Sequence, residues 1–360
     1  MFPQGEKRFA LDSVSAPRPA YLQLYSDGSK HYLTVLNTYK NAIYVYDYDN
    51  LNFVRSLTYP KKGSGNVGKI MCYYFKNKDS IYIFDAIKQR LTLTSDKKTT
   101  ASTSVSLINN RDPKDTRWAL DYPQHNQTAA TPMLLTRSGL LFTGQYIWSI
   151  PEHIINKFQY TARINLQKGQ VSYMHHYPLD IYASDYGWND PVFTAVYCDL
   201  NAKGDYLIYS FPVSHDLYIA DINGGDLKKV YAGSNSAHNI KPVPSEIKNA
   251  SDPMGDLKRY IRSTDLYGGV KYDPYRKVYY RFLQRGATVQ TTDADWKKKV
   301  VAVVIMDENF KYLGETDIGS MHQWNWENSF VTQDGLNIEY VPADNNESQL
   351  IFKIFTLKYL

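Results

Sequence analysis

Cysteine is scarce. Cys72 and Cys198 are the only two in 360 residues, which excludes a disulfide-stapled scaffold and leaves both as expected small buried hydrophobes. Charge of one sign is scarce too. The 41 Lys and Arg against 36 Asp and Glu leave a surplus of +5, too dilute over this length to argue for nucleic acid. No apolar run approaches the ~18 residues that a membrane-spanning helix needs. The common catalytic signatures are missing: no HExxH, no CxxC pair, no GxSxG elbow and no Walker-type phosphate loop. No cofactor and no metal is expected from such a sequence.

What is plentiful is tyrosine, 32 residues beside 14 Phe and 6 Trp, and tyrosine favours strands. At 43% hydrophobic residues the chain can bury a large core, so disorder is excluded. Self-similarity is the strongest signal. Tyr32 meets Tyr206, 174 residues on, and without gaps Leu33 meets Leu207, Ile43-Tyr44-Val45 meets Leu217-Tyr218-Ile219, and Asp47 meets Asp221. Each copy reads as strand, short polar break, strand, then an Asp opening a turn. A weaker copy lies 48 residues after the first, with Phe84-Asp85 at Leu36-Asn37 and Leu91-Thr92-Leu93 at Ile43-Tyr44-Val45.

Further strand pairs fit the template at Gly139–Trp148 with Tyr160–Leu166, Val278–Leu283 with Val300–Asp307, and Leu336–Val341 with Leu350–Tyr359. Three units per 174 residues give a mean of about 58, the size of a four-stranded blade. The reading is all-β: a six-bladed β-propeller of four-stranded antiparallel sheets. The N-terminal Lys7–Val14 supplies the missing outer strand and closes the ring. A seventh blade would have to lie in Asp96–Thr131. The alternative, a sandwich of two stacked sheets, leaves the ungapped repeat unexplained. One domain over 1–360 is expected, with short helical insertions near 150–158 and 251–263. The first has a Ser149-to-Glu152 capping box, and the second starts at Ser251-Asp252-Pro253 and carries an apolar stripe through Met254, Leu257, Tyr260 and Ile261.

The repeat, the Tyr-, Asn- and Lys-rich composition and the motifs Leu36-Asn37 and Ile43-Tyr44-Val45-Tyr46-Asp47 resemble a family of bacterial β-propeller proteins from gut-dwelling anaerobes, secreted or lipid-anchored and without assigned function. The resemblance runs from about Phe9 to the end and carries no catalytic residues. It implies a place in the periplasm or on the outer-membrane surface, with membrane contact only through a removed lipid anchor. Met1 to Lys7 shows no basic-then-apolar signal segment, so this location rests on the resemblance.

In a propeller, blade-to-blade connections share a face with the connections between second and third strands. Trp118, Trp188, Trp324 and Trp326 map to the former, Trp148 and Trp296 to the latter, so all six tryptophans fall on one face. Trp offers a flat apolar surface and one N–H donor, which suits a ligand face, although packing between blades is the other use for it. The candidate binding residues are Trp148, Trp188, Asn189, Asp190, Trp296, His322, Trp324 and Trp326, for a glycan, peptide or partner protein. The rival is a propeller hydrolase or lyase acting on a glycan, using two of the acids expected there: Asp121, Glu152, Asp190, Asp293, Asp295 and Glu327. Lys297-Lys298-Lys299 is either a solvated loop or a contact for an anionic polymer. Asp47 to Asn52 begins like a calcium loop but has Leu51 where an oxygen ligand belongs, so it reads as a turn.

Overall fold

The chain is seen in a computed structural model that describes every residue except 110, 148–151, 166–167, 183–186, 189, 239, 288–294, 344–346 and 359–360. Strand β1 is Phe2–Ala10. Blade 1 holds β2 (Leu22–Asp27), β3 (Lys30–Asn37), β4 (Ala42–Asp47) and β5 (Phe53–Thr58). Blade 2 holds β6 (Cys72–Asn77), β7 (Ser80–Asp85), β8 (Arg90–Thr94) and β9 (Thr103–Ser106). Blade 3 holds β10 (Leu134–Thr136), β11 (Gly139–Thr143), β12 (Gln159–Asn165) and β13 (Gln170–His176). Blade 4 holds β14 (Tyr197–Leu200), β15 (Tyr206–Ser210), β16 (Asp216–Asp221) and β17 (Lys228–Tyr231). Blade 5 holds β18 (Leu266–Asp273), β19 (Val278–Arg285), β20 (Val300–Asp307) and β21 (Tyr312–Ser320). Blade 6 holds β22 (Trp324–Thr332), β23 (Gly335–Tyr340) and β24 (Gln349–Thr356), and takes β1 as its fourth strand.

Each blade is an antiparallel sheet of four strands, six in all, and the repeat read from the sequence is the hairpin of second and third strands. A 174-residue step carries β4 onto β16, and a 48-residue step carries β3 and β4 onto the β7–β8 hairpin. The turns are built by the recurring Asp. The Oδ1 of Asp47 accepts from the backbone N–H groups of Asp49 at 3.0 Å and Asn50 at 2.8 Å, and Asp221 and Asp307 close their own strands alike. Asn41 and Gln89 hold the same left-handed position in two hairpins, at φ 53° and 46°.

The span Asp96–Thr131 contains no extra blade among the described residues. It supplies β9, one 3₁₀ turn at Thr116–Leu120 and two isolated bridges, so the ring has six blades. Closure is antiparallel, from Phe2↔Thr356 to Ala10↔Gln349. The closing strand begins earlier than expected and stops at Ala10 because Asp12 bends the chain, its Oδ1 accepting from Val14 N–H and from the Ser15 hydroxyl. The capping box around Ser149 lies outside the described residues, and only α1 (Glu152–Ile155) follows it. The other helices are α2 (Leu179–Tyr182), α3 (Ser245–Lys248) and α4 (Pro253–Ser263). Asp252 caps α4 by accepting from Gly255 N–H at 3.0 Å, with Pro253 at the first helical position.

Tyrosine is abundant because the blades meet through packed rings. Tyr25 stacks on Phe75 with centroids 4.3 Å apart, and Tyr21 meets Tyr73 edge-on at 5.0 Å, joining blades 1 and 2. The Tyr48 hydroxyl donates to Asn337 Oδ1 at 2.8 Å and joins blade 1 to blade 6. Each such ring contributes about 1.5–3 kcal/mol by leaving water, and the polar tip costs little once bonded. Cys72 and Cys198 are buried and unpaired.

Candidate functional site

Two irregular inner strands shape the channel mouth. In β22 the pairing passes from Asn325↔Glu339 to Ser329↔Ile338, so Trp326, Glu327 and Asn328 have no partners on β23 and are pushed out of the ladder. Opposite them, β18 skips between Tyr267 and Val270, leaving Gly268 and Gly269 as the bulge. A Cβ on Gly268 would lie 2.7 Å from the Trp326 ring, so glycine here makes room for the indole. Asn328 pins the bulge by donating to Pro19 O at 2.8 Å and to Glu339 Oε2 at 2.6 Å, and Asn325 donates to the same oxygen at 2.7 Å.

A cavity of about 380 Å³ opens beside this bulge. Trp296, Trp324 and Trp326 line it, with Tyr197 edge-on to Trp326 at 5.4 Å. Trp296 is 49% exposed, Trp324 9% and Trp326 1%, a gradient from rim to depth. The rim residue is held by hairpin tips. Asp295 Oδ2 meets His322 Nε2 at 2.6 Å, and the N–H groups of Met321 and His322 donate to the carbonyls of Lys299 and Lys297. Gln284, Asn325 and Glu327 supply polar groups.

A second cavity of about 250 Å³ shares Tyr197 and Glu327 with the first. Its wall is amide-rich, with Gln124, Asn126, Gln127 and Gln145. Both His125 Nδ1 and Gln127 Nε2 bond the Thr143 carbonyl, which makes His125 Nε2 the bare nitrogen. Burial pulls the His125 pKa down to about 4, so the ring is neutral.

Several polar groups around these chambers make no hydrogen bond within the protein: Trp326 Nε1, Gln127 Oε1, Thr128 Oγ1 and His125 Nε2. The Glu327 carboxylate likewise has no partner among the described residues, and burial raises its pKa above the ordinary range. Unpartnered buried groups also occur elsewhere in the ring, among them the Tyr59 and Tyr160 hydroxyls, but these four lie beside the chambers.

Of the tryptophans read from the sequence, the fold therefore gathers Trp296, Trp324 and Trp326. Trp188 is packed against Phe193, its indole N–H donating to Ile181 O at 3.0 Å, and it lines neither chamber. Asp190 caps its own turn through Val192 N–H, next to Pro191, whose carbonyl accepts from Gln145. Trp148 and Asn189 lie outside the described residues. Among the expected acids, Asp121 pairs with Arg111 and Asp295 with His322, Asp293 is not described, and Glu327 alone lines the two chambers. Sequence reasoning missed Arg18, Tyr197, Gln284 and the amide wall, although the run Gln124-His125-Asn126-Gln127 was a visible signal. It also left Lys299 in a basic run, where the structure buries it at 1% exposure. Among the described residues no three His, Cys, Asp or Glu side chains gather to hold a metal ion.

The architecture matches solved propellers. The crystal structure of a DUF4221 family member from Bacteroides vulgatus superposes with a TM-score of 0.81 at 18% identity, over 100% of this chain and 98% of that one. A protein from Bacteroides fragilis, provisionally described as exported, gives 0.56 at 10% identity, over 98% and 95%. Streptogramin B lyase gives 0.50 at 11% identity, over 98% and 88%. At these identities the likeness is one of fold. No curated protein matches by sequence. The family model described as "Domain of unknown function (DUF4221)" matches residues 2–317, and this chain belongs to that family of β-propeller proteins.

Proposed function

We propose that this protein is a binding propeller that works outside the cytoplasm, taking its ligand at the channel mouth between blades 4, 5 and 6. One observation carries the reading: Trp296, Trp324 and Trp326 converge on one cavity with amides and an unpartnered carboxylate. Aromatic planes beside side-chain amides suit a sugar ring or a peptide side chain. The exported neighbour from Bacteroides fragilis supports the location. A lipid anchor on the outer membrane is the finer form of the same proposal.

The hydrolase alternative needs two carboxylates on one bound substrate. Glu327 is the only acid on either chamber among the described residues, while Glu339 lines a separate rim cleft of about 290 Å³ and is tied to Asn325 and Asn328. A single acid with amides and aromatics favours holding over cleaving.

The test is intrinsic tryptophan fluorescence across a panel of glycans and peptides, repeated with Trp296→Ala and Trp324→Ala. A saturable shift lost in either variant is the expected result, with the ligand recovered unchanged. Recovery of a cleaved product would replace the binding reading with the enzymatic one. Silence across the whole panel would remove the channel mouth as a site.

A further inference from the structure

The aromatic chamber is lined by three cations, Arg18, Lys297 and Lys299, against one acid, Glu327. None of the three is within ion-pair distance of a carboxylate among the described residues. Arg18 spends one donor on His322 O at 3.1 Å. Lys299 is almost wholly buried, its Nζ donates to Ile261 O at 3.1 Å and Thr264 O at 2.6 Å, and burial pulls its pKa down to about 7, so its charge is partial at neutral pH. The Lys297 ammonium lies 6.0 Å from the centre of the Trp296 ring and has no ion-pair partner among the described residues. Cations in a low-dielectric cleft focus potential on it, and an anion bound there would draw Lys299 toward its charged form.

The charges are also ordered along the site. Arg18 and Lys297 line both this chamber and the rim cleft, where Glu339 and the exposed Glu347 also stand. Glu327 lines the other end, at the junction with the amide chamber. An occupant that fits this order is anionic toward the rim, flat in the middle and rich in hydroxyls inward. Resting on the binding function proposed above, we infer that the ligand is an acidic saccharide. Its carboxylate or sulfate meets Arg18 and Lys297, its ring lies on Trp296 or Trp324, and its hydroxyls meet Glu327 and the amides. Burial keeps the Glu327 carboxyl above its ordinary pKa, which reduces its repulsion of such a ligand.

The test uses the full chain and matched probes: tri-galacturonate against its methyl ester, and a sulfated disaccharide against its desulfated form. Binding is followed by calorimetry at low and high salt. The acidic member of at least one pair is expected to bind about tenfold tighter than its neutral twin, with the advantage shrinking as salt rises. The double variant Arg18→Gln with Lys297→Gln, both partly solvated at the rim, is expected to bring the acid down to the neutral level. Preference for one pair over the other tells carboxylate from sulfate. Equal affinity within both pairs, with binding still lost in Trp296→Ala, would overturn this inference and leave the binding function standing. Tight binding of an acidic peptide with no saccharide bound would overturn it as well. Absence of binding to every saccharide and peptide would instead bring down the function on which it rests.

Discussion

Arg281 and Glu327 are both ionisable side chains drawn in from the surface, one wholly buried and one lining a cavity, and the fold treats them in opposite ways. Arg281, at the seam of blades 4 and 5, is fully buried and spends its whole fork. It donates to Ser210 Oγ at 3.0 Å, to the carbonyls of His215, Ala232, Ser214 and Asp216, and lies 3.8 Å above the Tyr267 ring. Burial lowers its pKa to about 10, which leaves it charged at neutral pH. Glu327, in the bulge of blade 6, has no such partners, and the buried indole N–H of Trp326 beside it is also unmet. The seam shows what this chain does with a buried charge that serves the frame: it satisfies every donor. The bulge instead leaves the Glu327 carboxyl and the Trp326 N–H without a protein partner among the described residues, beside a cavity that a ligand could fill.

The largest expected effect is at the seam. Arg281→Met takes the guanidinium from five acceptors, three of those bonds fully buried, and should cost at least about 3 kcal/mol in urea unfolding. A loss below about 1 kcal/mol would erase the distinction drawn above. Glu339 lies between the two extremes, buried but held by two amides, with burial raising its pKa to about 7 from an ordinary 4.5. Because the folded value is the higher one, its contribution to stability is complete below about pH 4.5 and is lost as pH rises through 7. Glu339→Gln should therefore remove a decline on the order of 2–3 kcal/mol between pH 4.5 and 8, read as the difference between the two pH–stability curves. Parallel curves would place the carboxyl in water. The smallest effect is expected from Gly268→Ala, which pushes the added methyl against the Trp326 ring. About 1–2 kcal/mol and a red shift of tryptophan emission should follow, and an unchanged spectrum would mean that the indole has room to spare.

The frame was legible in the sequence because a blade is local. The hairpin of Tyr32 to Asp47 carries its own alternation, turn and register, so its copy from Tyr206 to Asp221 could be matched residue for residue. The site was legible only as a bias of tryptophan toward one face. Trp188 and Trp326 look alike in the chain, yet one indole finds a carbonyl three ångströms away and the other finds none. The three residues extruded from β22 leave no mark in the hydrophobic pattern, since Trp326 and Phe330 keep an apolar spacing that a straight strand would share. Arg18 and Trp324 meet only because the ring closes across most of the chain length. Such meetings depend on geometry summed over six blades, which no short window contains.

Closure by β1 gives the cavity a timing. Strand β1 must wait for β24 before blade 6 exists, and Trp324 and Trp326 of the tryptophan wall belong to that blade. Pairing β1 with β24 spans more of the sequence than any other strand pairing among the described residues, so its loop-closure entropy is met late in folding. A chain that is nicked or stalled short of β24 can hold five finished blades and still present only part of the wall. Readiness to bind is thus a property of the completed circle, and the channel mouth would report a broken ring anywhere along its length.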